Sequence, residues 1–370
     1  MRAVVLVGGE GTRLRPLTYT TPKPLLPIAN VLFLERQLRW LASHGVDDVV
    51  LSLGYLPDAF QEQFPDDRAG AVRLRYAVED EPLGTAGAIR FAAAGIGERF
   101  VVCNGDVLTS LDLGEMVAFH DDRGAEATIS LSRVDDPSAF GVVPTRADGQ
   151  VIAFVEKPER GRAPTSWINA GTYVLEPSFL DRIPARLNVS VERETFPRLL
   201  VQPGLLYGFQ SSAYWLDIGT PETYLEAHAD LLAGRLGLPP ADDAREASAG
   251  VWVQADASID PGARLDAPVL LGRGARVDAG TRVARSVLGP GARVDAGAHV
   301  EGSVLLAGAR VGVGAGSLAS VVGVGATLEA GAWITDATVV GAGASVRVGT
   351  RISGGRVSPS LGEARGRASA

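Results

Sequence analysis

The chain has 370 residues, enough for two ordinary domains, with 46% hydrophobic and 6% aromatic content, the make-up of a folded globular protein. A formal net charge of -8 argues against the basic face that nucleic-acid or membrane-surface binding needs, and makes small molecules the expected partners. Cys103 is the single cysteine and the four histidines (His44, His120, His228, His299) lack zinc-ligand spacing, so an intrachain disulfide is excluded and a reducing cytoplasm is the expected setting.

The apolar run Ala3 to Val7 predicts a buried strand, too short for a signal segment or a membrane span, that stops at Gly8-Gly9. The stretch "GGEGTRLRPLTYTTPKP", residues 8 to 24, then joins bare backbone to Arg13, Arg15 and Lys23, a pattern suited to an anion. Leu34, Leu38 and Leu41 fall on one face of a helix that Gly45 ends. "DDVVLSLG", "VRLRYAVED" and "RFVVCNGD" supply further strands, and this alternation is the signature of a doubly wound α/β layer. The later runs "EATISLSRV", "QVIAFVEKP" and "NAGTYVLEP" have fewer helices between them, which predicts a mixed sheet in this half of an α/β domain over residues 1–233.

Residues 234–250 read as a linker of Pro, Gly, Asp and Ala without periodicity. From 251 the pattern changes to one aliphatic per six residues, as at Ile259, Leu265, Leu271, Val277 and Val283. A seventeen-residue period lies above it, in Ser286-Val287-Leu288, Ser303-Val304-Leu305 and Ser320-Val321-Val322. Three six-residue sides per turn, one clipped, predict a parallel β-helix over 251–353, with about six coils, in which the aliphatic points inward and Gly takes the corner. Residues 354–370 are expected to form a disordered tail. His299 sits inside an uninterrupted repeat, which reads as a solvated side chain and gives this domain a structural or assembly role; self-association into a homo-oligomer is expected.

Four features carry the chemistry. Only two of the 35 basic residues are lysines, Lys23 in "PKP" and Lys157 in "EKP". A lysine kept where arginine is otherwise universal points to a compact ammonium at a phosphate site. "RFVVCNGDV" ends a strand in Asn104-Gly105-Asp106, which would project Asp106 into the crevice at the carboxyl edge of the sheet. A hard carboxylate there suits Mg²⁺, and Asp217 in "AYWLDIGTPE" is the candidate second ligand. The first loop is neither a Walker A motif nor a clean G-x-G-x-x-G, because Leu14 stands where the third glycine belongs.

Taken in order, "LVGGEGTRLRPLT" with "PKPLLP", "EPLGTAGAI", "NGD", "FVEKP", "INAGTYV" and "YWLDIGTPE" resemble the motifs of the sugar-1-phosphate nucleotidylyltransferases over residues 1 to about 225. Within that family, "DPSAFGVV" and "VSVERETFPRLL" resemble the bacterial guanylyltransferases of mannose 1-phosphate. The resemblance implies a Rossmann-like doubly wound nucleotidyltransferase domain followed by a left-handed parallel β-helix. It also implies Mg²⁺ at Asp106 and Asp217, and a reaction of a nucleoside triphosphate, GTP favoured, with a sugar 1-phosphate. By the same resemblance Gly8, Gly9, Gly11 and Thr12 wrap the nucleotide, and Gly84 and Thr85 lie along the nucleoside. Arg13 and Lys23 hold phosphate, Gly141, Glu156 and Asn169 contact the sugar, and Lys157 its 1-phosphate. Another base, or a glucose or cyclitol phosphate, is the alternative within the class; a non-catalytic nucleotide-sugar-binding subunit is the alternative outside it. Relatives carry a Gly-x-Pro turn where this chain has Asn30-Val31-Leu32, and asparagine tolerates the left-handed backbone that such a turn needs.

Overall fold

A computed structural model describes residues 1–202 and 204–359. The chain divides into two compact units: Met1–Gly9 with Leu34–Leu216, and Glu10–Phe33 with the chain from Asp217 onward. Among the described residues no helix is long and apolar enough to cross a membrane.

The first unit is a mixed sheet with helices. In chain order its elements are β1 (Arg2–Leu6), α1 (Phe33–Ser43), β2 (Asp48–Leu53), α2 (Asp58–Gln63), β3 (Val72–Val78), α3 (Gly84–Ala92), β4 (Phe100–Asn104), α4 (Leu113–Arg123), β5 (Ala127–Arg133), β6 (Gly141–Val142), β7 (Val155–Glu156), β8 (Trp167–Leu175), α5 (Phe196–Leu199) and β9 (Leu206–Ser211). Strands β4, β1, β2 and β3 lie side by side and parallel, as the βα alternation predicts. Beyond β4 the sheet turns antiparallel: β8 pairs with β4, and both β5 and β6 pair with β8. The parallel centre matters for function because it sends the carboxyl ends of four strands to one edge. Its strands are near-continuous apolar runs covered on both faces, and Ala3, Val4, Val5, Phe100, Val101 and Val102 are fully buried. The predicted stripe of Leu34, Leu38 and Leu41 on α1 is fully buried too, and Gly45 ends the helix at φ 78°. Cys103 is a buried strand residue whose thiol desolvation pushes up to about 12.

The second unit opens, from Asp217 onward, with α6 (Pro221–Leu232), whose start is fixed by a reciprocal Thr220–Thr223 capping box. The β-helix follows. Val277, Val294, Val311, Leu328 and Val346 stack in register on parallel two-residue strands, and each is buried. Most steps are seventeen residues, as from Arg276 to Arg293, and some are eighteen, as from Thr327 to Ser345. The repeating serines form an internal ladder, in which Ser303 N–H donates to Ser286 Oγ at 3.1 Å and Ser320 N–H to Ser303 Oγ at 3.2 Å.

Three expectations need correction. Ile259 was expected to point inward, but it lies on the first coil, where no preceding coil covers it, and is 38% exposed. Arg245–Ser248, expected in the linker, is a strand antiparallel to Val251–Val253; its side chains are all exposed, so only backbone pairing marks it. Arg356–Val357, expected in the tail, pairs with Val339–Val340 and extends the β-helix, while residues 360–370 of that expected tail lie outside the described residues.

His120 on α4 is 1% exposed, with Nδ1 at 2.8 Å from Thr128 Oγ1 and Nε2 at 3.3 Å from Glu176 Oε1. Burial holds its imidazole below the ordinary 6.5, against the opposing pull of Glu176. The unfolded chain therefore takes up this proton more readily than the folded one, so stability present above about pH 6.5 is lost as the pH falls below it, by at most about 1.4 kcal/mol per unit. Urea unfolding midpoints compared at pH 7.5 and 5.5 should fall for the natural chain and fall less for His120→Gln.

Candidate active site

The carboxyl edge of the parallel strands encloses a cavity of about 330 Å³ lined by Leu6, Gly8, Gly9, Ser52, Glu79, Pro82, Gly84, Thr85, Ala88, Asn104 and Asp106. Five of the predicted residues, Gly8, Gly9, Gly84, Thr85 and Asp106, therefore surround one space. Two of the three glycines, Gly8 and Gly84, have a steric reason. A Cβ on Gly8 would stand 3.2 Å from Gly54 N, at the end of β2, whereas Gly9 has open space beside it. Gly84 begins α3 at φ 68°, and a Cβ there would stand 2.6 Å from Val189 O. The Asn104-Gly105-Asp106 turn is held by Gly105 N–H donating to Leu6 O at 2.8 Å and by buried Gln37 of α1, whose Nε2 donates to Asn104 O at 2.8 Å.

Thr85 lines the cavity, but its hydroxyl is already engaged. It donates to Glu192 Oε2 at 2.9 Å and accepts from Val191 N–H at 2.8 Å, which leaves its backbone and methyl group to face a ligand. Ser190 Oγ donates to the same Glu192 oxygen at 2.9 Å.

The sequence reading missed Glu79. It follows β3 directly and lines the cavity; its Oε1 accepts from Ser52 Oγ at 3.1 Å and its Oε2 from Leu83 N–H at 3.0 Å. A carboxylate has about four lone-pair sites, so two remain for a ligand. The strand order places Glu79 and Asp106 three strands apart, about 14 Å at the usual spacing. In the sequence, Glu79 heads the acidic run "EDE", which reads as a solvated loop.

Beside the cavity the predicted sugar contacts share one row. Gly141 of β6 faces Glu156 of β7, and the antiparallel pairing of Val142 with Ile168 puts Asn169 of β8 on its other flank. Gly141 is required because the Phe154 ring and the Glu156 carboxylate lie over it, with Oε2 at 3.1 Å from where a Cβ would stand. Asn169 is oriented by its own strand: Nδ2 donates to Tyr173 Oη at 2.9 Å and Oδ1 accepts from Gly171 N–H at 3.0 Å. The Asn104 amide packs against Gly171 (φ 75°), which joins this row to the Asp106 turn. Lys157 is 61% exposed, with Nζ 4.0 Å from Glu156 Oε1. Its backbone is left-handed at φ 45°, a conformation that costs a lysine of order 1–2 kcal/mol and that clusters at functional sites.

The remaining predicted residues belong to the second unit and form a group of their own. Gly11 (φ 60°) starts the 3₁₀ turn Thr12–Leu14. Lys23 Cβ and the Thr18 methyl each lie 3.1 Å from where a Gly11 Cβ would be. Arg15 pairs with Glu10 at 2.6 Å and lies over the Tyr19 ring, 5.3 Å from its centroid. Arg13 keeps an exposed side chain whose guanidinium lies against Gly219, two residues beyond Asp217. Asp217 ends the strand Trp215–Asp217 and is half-buried.

Asp106 and Asp217 are hard oxygen donors, the type Mg²⁺ takes, and Mg²⁺ is ordinarily held by one or two carboxylates with substrate phosphates completing its shell. Among the described residues no group of three or more His, Cys, Asp or Glu side chains is arranged to hold a metal ion.

A glycine-lined cavity at the carboxyl edge of a parallel sheet, with a carboxylate at each end and a polar row beside it, defines a nucleotide-binding α/β transferase. The chain belongs to the nucleotidyl transferase family, whose match spans residues 2–234, and residues 262–345 match the GlmU-like C-terminal hexapeptide family. It is 43% identical to a Mycobacterium tuberculosis protein named mannose-1-phosphate guanylyltransferase, over 77% of this chain and 79% of that one. It is 38% identical to mannose-1-phosphate guanylyltransferase 1 of Arabidopsis thaliana, over 77% of this chain and 80% of the relative. Among solved structures, HddC from Yersinia pseudotuberculosis is similar at 33% identity and a TM-score of 0.54, over 61% of this chain and 97% of that one. HddC has also been solved complexed with GMP-PN.

A Cβ on Gly219 would stand 2.8 Å from Arg13 Cζ. The clash is with the end of a flexible side chain, so Gly219→Ala should leave the melting temperature within a few degrees and displace Arg13. Steady-state kinetics should then record a fall in kcat of about ten- to a hundredfold.

Proposed function

We propose that the protein transfers a guanylyl group from GTP to mannose 1-phosphate, giving GDP-mannose and pyrophosphate. The observation that carries the choice of base is Glu79. Guanine presents two adjacent donors, N1–H and the N2 amino group, and an acceptor-only carboxylate accepts from both. Uracil and thymine present one donor between two acceptors, which a carboxylate meets with repulsion on either side. The apolar walls Leu6, Pro82 and Ala88 suit the faces of a base. Asp106, about 14 Å away by strand spacing, suits the phosphate end of the same molecule. Mannose rests on the names of relatives 38 to 43% identical to this chain, together with a polar row of Glu156, Gly141 and Asn169 on three neighbouring strands.

The chemistry follows from charge. An oxygen of the sugar 1-phosphate attacks the α-phosphorus in line, the new P–O bond forms as the bond to the β-phosphate oxygen breaks, and pyrophosphate leaves with that electron pair. The nucleophile is already an anion near neutral pH, so no general base is required. Gly8, Gly9, Gly11 and Thr12 admit the phosphate chain close to backbone donors. Arg13 and Lys23 offset its charge, Lys157 holds the sugar phosphate, and Glu156 and Asn169 orient the ring. Asp106 and Asp217 would each offer a carboxylate oxygen to Mg²⁺, which when bound would neutralise charge on the triphosphate.

Two substitutions test this reading through pyrophosphate release. Asp106→Asn should cut turnover by about a hundredfold or more with folding intact, and near-normal turnover removes Asp106 from the phosphate end. Glu79→Gln sets a donor against one of guanine's donors, so kcat/KM with GTP should fall about ten- to a hundredfold while UTP gains relative to it. An unchanged GTP preference contradicts the base assignment.

A further inference from the structure

The segment carrying Arg13 and Lys23 belongs to the same compact unit as α6 and the β-helix. It is anchored there along its length. Thr18 Oγ1 donates to Gly11 O at 2.9 Å, closing the start of the segment on itself. Pro16 lies against Gly341 of the β-helix, with its ring 2.9 Å from where a Cβ on that glycine would stand. The segment ends in a two-residue hairpin, Pro27–Ile28 paired with Val31–Leu32, whose tip residues Ala29 and Asn30 are both left-handed, at φ 46° and 62°. That is the backbone a tight hairpin requires, and alanine adopts it at a cost.

Hydrogen bonds to α6 and to the β-helix hold the hairpin in place. Ala29 N–H donates to His228 Nδ1 at 3.2 Å, and Tyr224 Oη donates to Pro27 O at 2.6 Å, both on α6. Asn30 Nδ2 donates to Gln254 Oε1 at 3.0 Å and to Leu288 O at 3.1 Å, so both protons of its amide go to the β-helix. Gln254 is itself 9% exposed and turns its own amide to Asp243, so its oxygen is fixed in place. The hairpin is coupled to Lys23 through two backbone bonds: Phe33 N–H donates to Leu26 O at 3.0 Å, and Leu26 N–H donates to Lys23 O at 3.1 Å.

We infer that Asn30 is a positioning residue for the reaction, fastening the hairpin after Lys23 to the β-helix through Gln254 and Leu288 so that Arg13 and Lys23 are held in place. This rests on the reading of those two cations as phosphate-binding groups. The β-helix then acts as the seat of the phosphate loop. Asparagine serves here because it combines tolerance of the left-handed backbone with two side-chain donors; glycine supplies only the first.

That difference gives the test. Asn30→Gly in the full chain keeps the turn and deletes both bridges, and Asn30→Asp keeps the turn and sets an acceptor against two acceptors. With GTP and mannose 1-phosphate, kcat and kcat/KM should fall together, about tenfold for Asn30→Gly and further for Asn30→Asp, because charge positioning acts on the transition state. Melting temperatures, read alongside, should move little for Asn30→Gly. A lowered melting temperature with natural kcat in both variants means a structural role only and overturns the inference. Arg13→Gln, run in parallel, separates the two levels. If it is crippled while Asn30→Gly is normal, the reading of the cations stands and this inference is wrong; if Arg13→Gln turns over normally, the reading fails and the inference falls with it.

Discussion

The constraint on which everything else depends is the repulsion between two phosphate-bearing substrates that must be brought to bonding distance. Two unit charges 4 Å apart interact by about 4 kcal/mol at an effective dielectric of 20, and several such pairs act at once. In the proposed reading each residue group answers that cost: bare glycine backbone at Gly8, Gly9 and Gly11 would admit phosphate close to N–H groups, and Lys23, Lys157 and Arg13 would supply cations. Arg15, the third cation of the same segment, pairs with Glu10 and lies over Tyr19. Glu79 and Asp106 are negative and lie about three strands apart, at what we assign as the base end and the phosphate end. A carboxylate at the base end reads donors without opposing the phosphates, because a nucleoside's length separates them.

How much of this was legible in the sequence depended on whether the chemistry was local. Strand, glycine turn and carboxylate follow one another directly in "RFVVCNGDV", so the position of Asp106 at the sheet edge could be read from the residues themselves. The row of Glu156, Gly141 and Asn169 rested on resemblance, because pairing three distant strands is invisible in composition. Glu79 was missed for the opposite reason. It stands at the head of "EDE", where charge reads as solvation, and only the parallel neighbours β2 and β1 turn one of the three carboxylates into a cavity wall. The engaged hydroxyl of Thr85 was equally hidden, since its partners lie more than a hundred residues away.

The division of the chain shows the same limit. Composition places a boundary after residue 233, and the repeat period correctly marks a β-helix whose valines and leucines stack in register. Yet residues 10–33 pack with that β-helix, through contacts such as Asn30 to Leu288 at a separation of 258 residues. Asn30 had been noted only as a glycine substitute that tolerates a left-handed turn. Its φ of 62° bears that out, while its two amide bonds give the same residue a second use that no local pattern encodes.

The most direct measurement is pyrophosphate release by the natural chain with Mg²⁺, crossing GTP, UTP, dTTP and ATP against the 1-phosphates of mannose, glucose and N-acetylglucosamine. The account predicts release concentrated in the pairing of GTP with mannose 1-phosphate, in step with the formation of GDP-mannose. Release that follows UTP, dTTP or ATP in preference to GTP, or folded protein that binds GTP and mannose 1-phosphate and releases nothing, would contradict it.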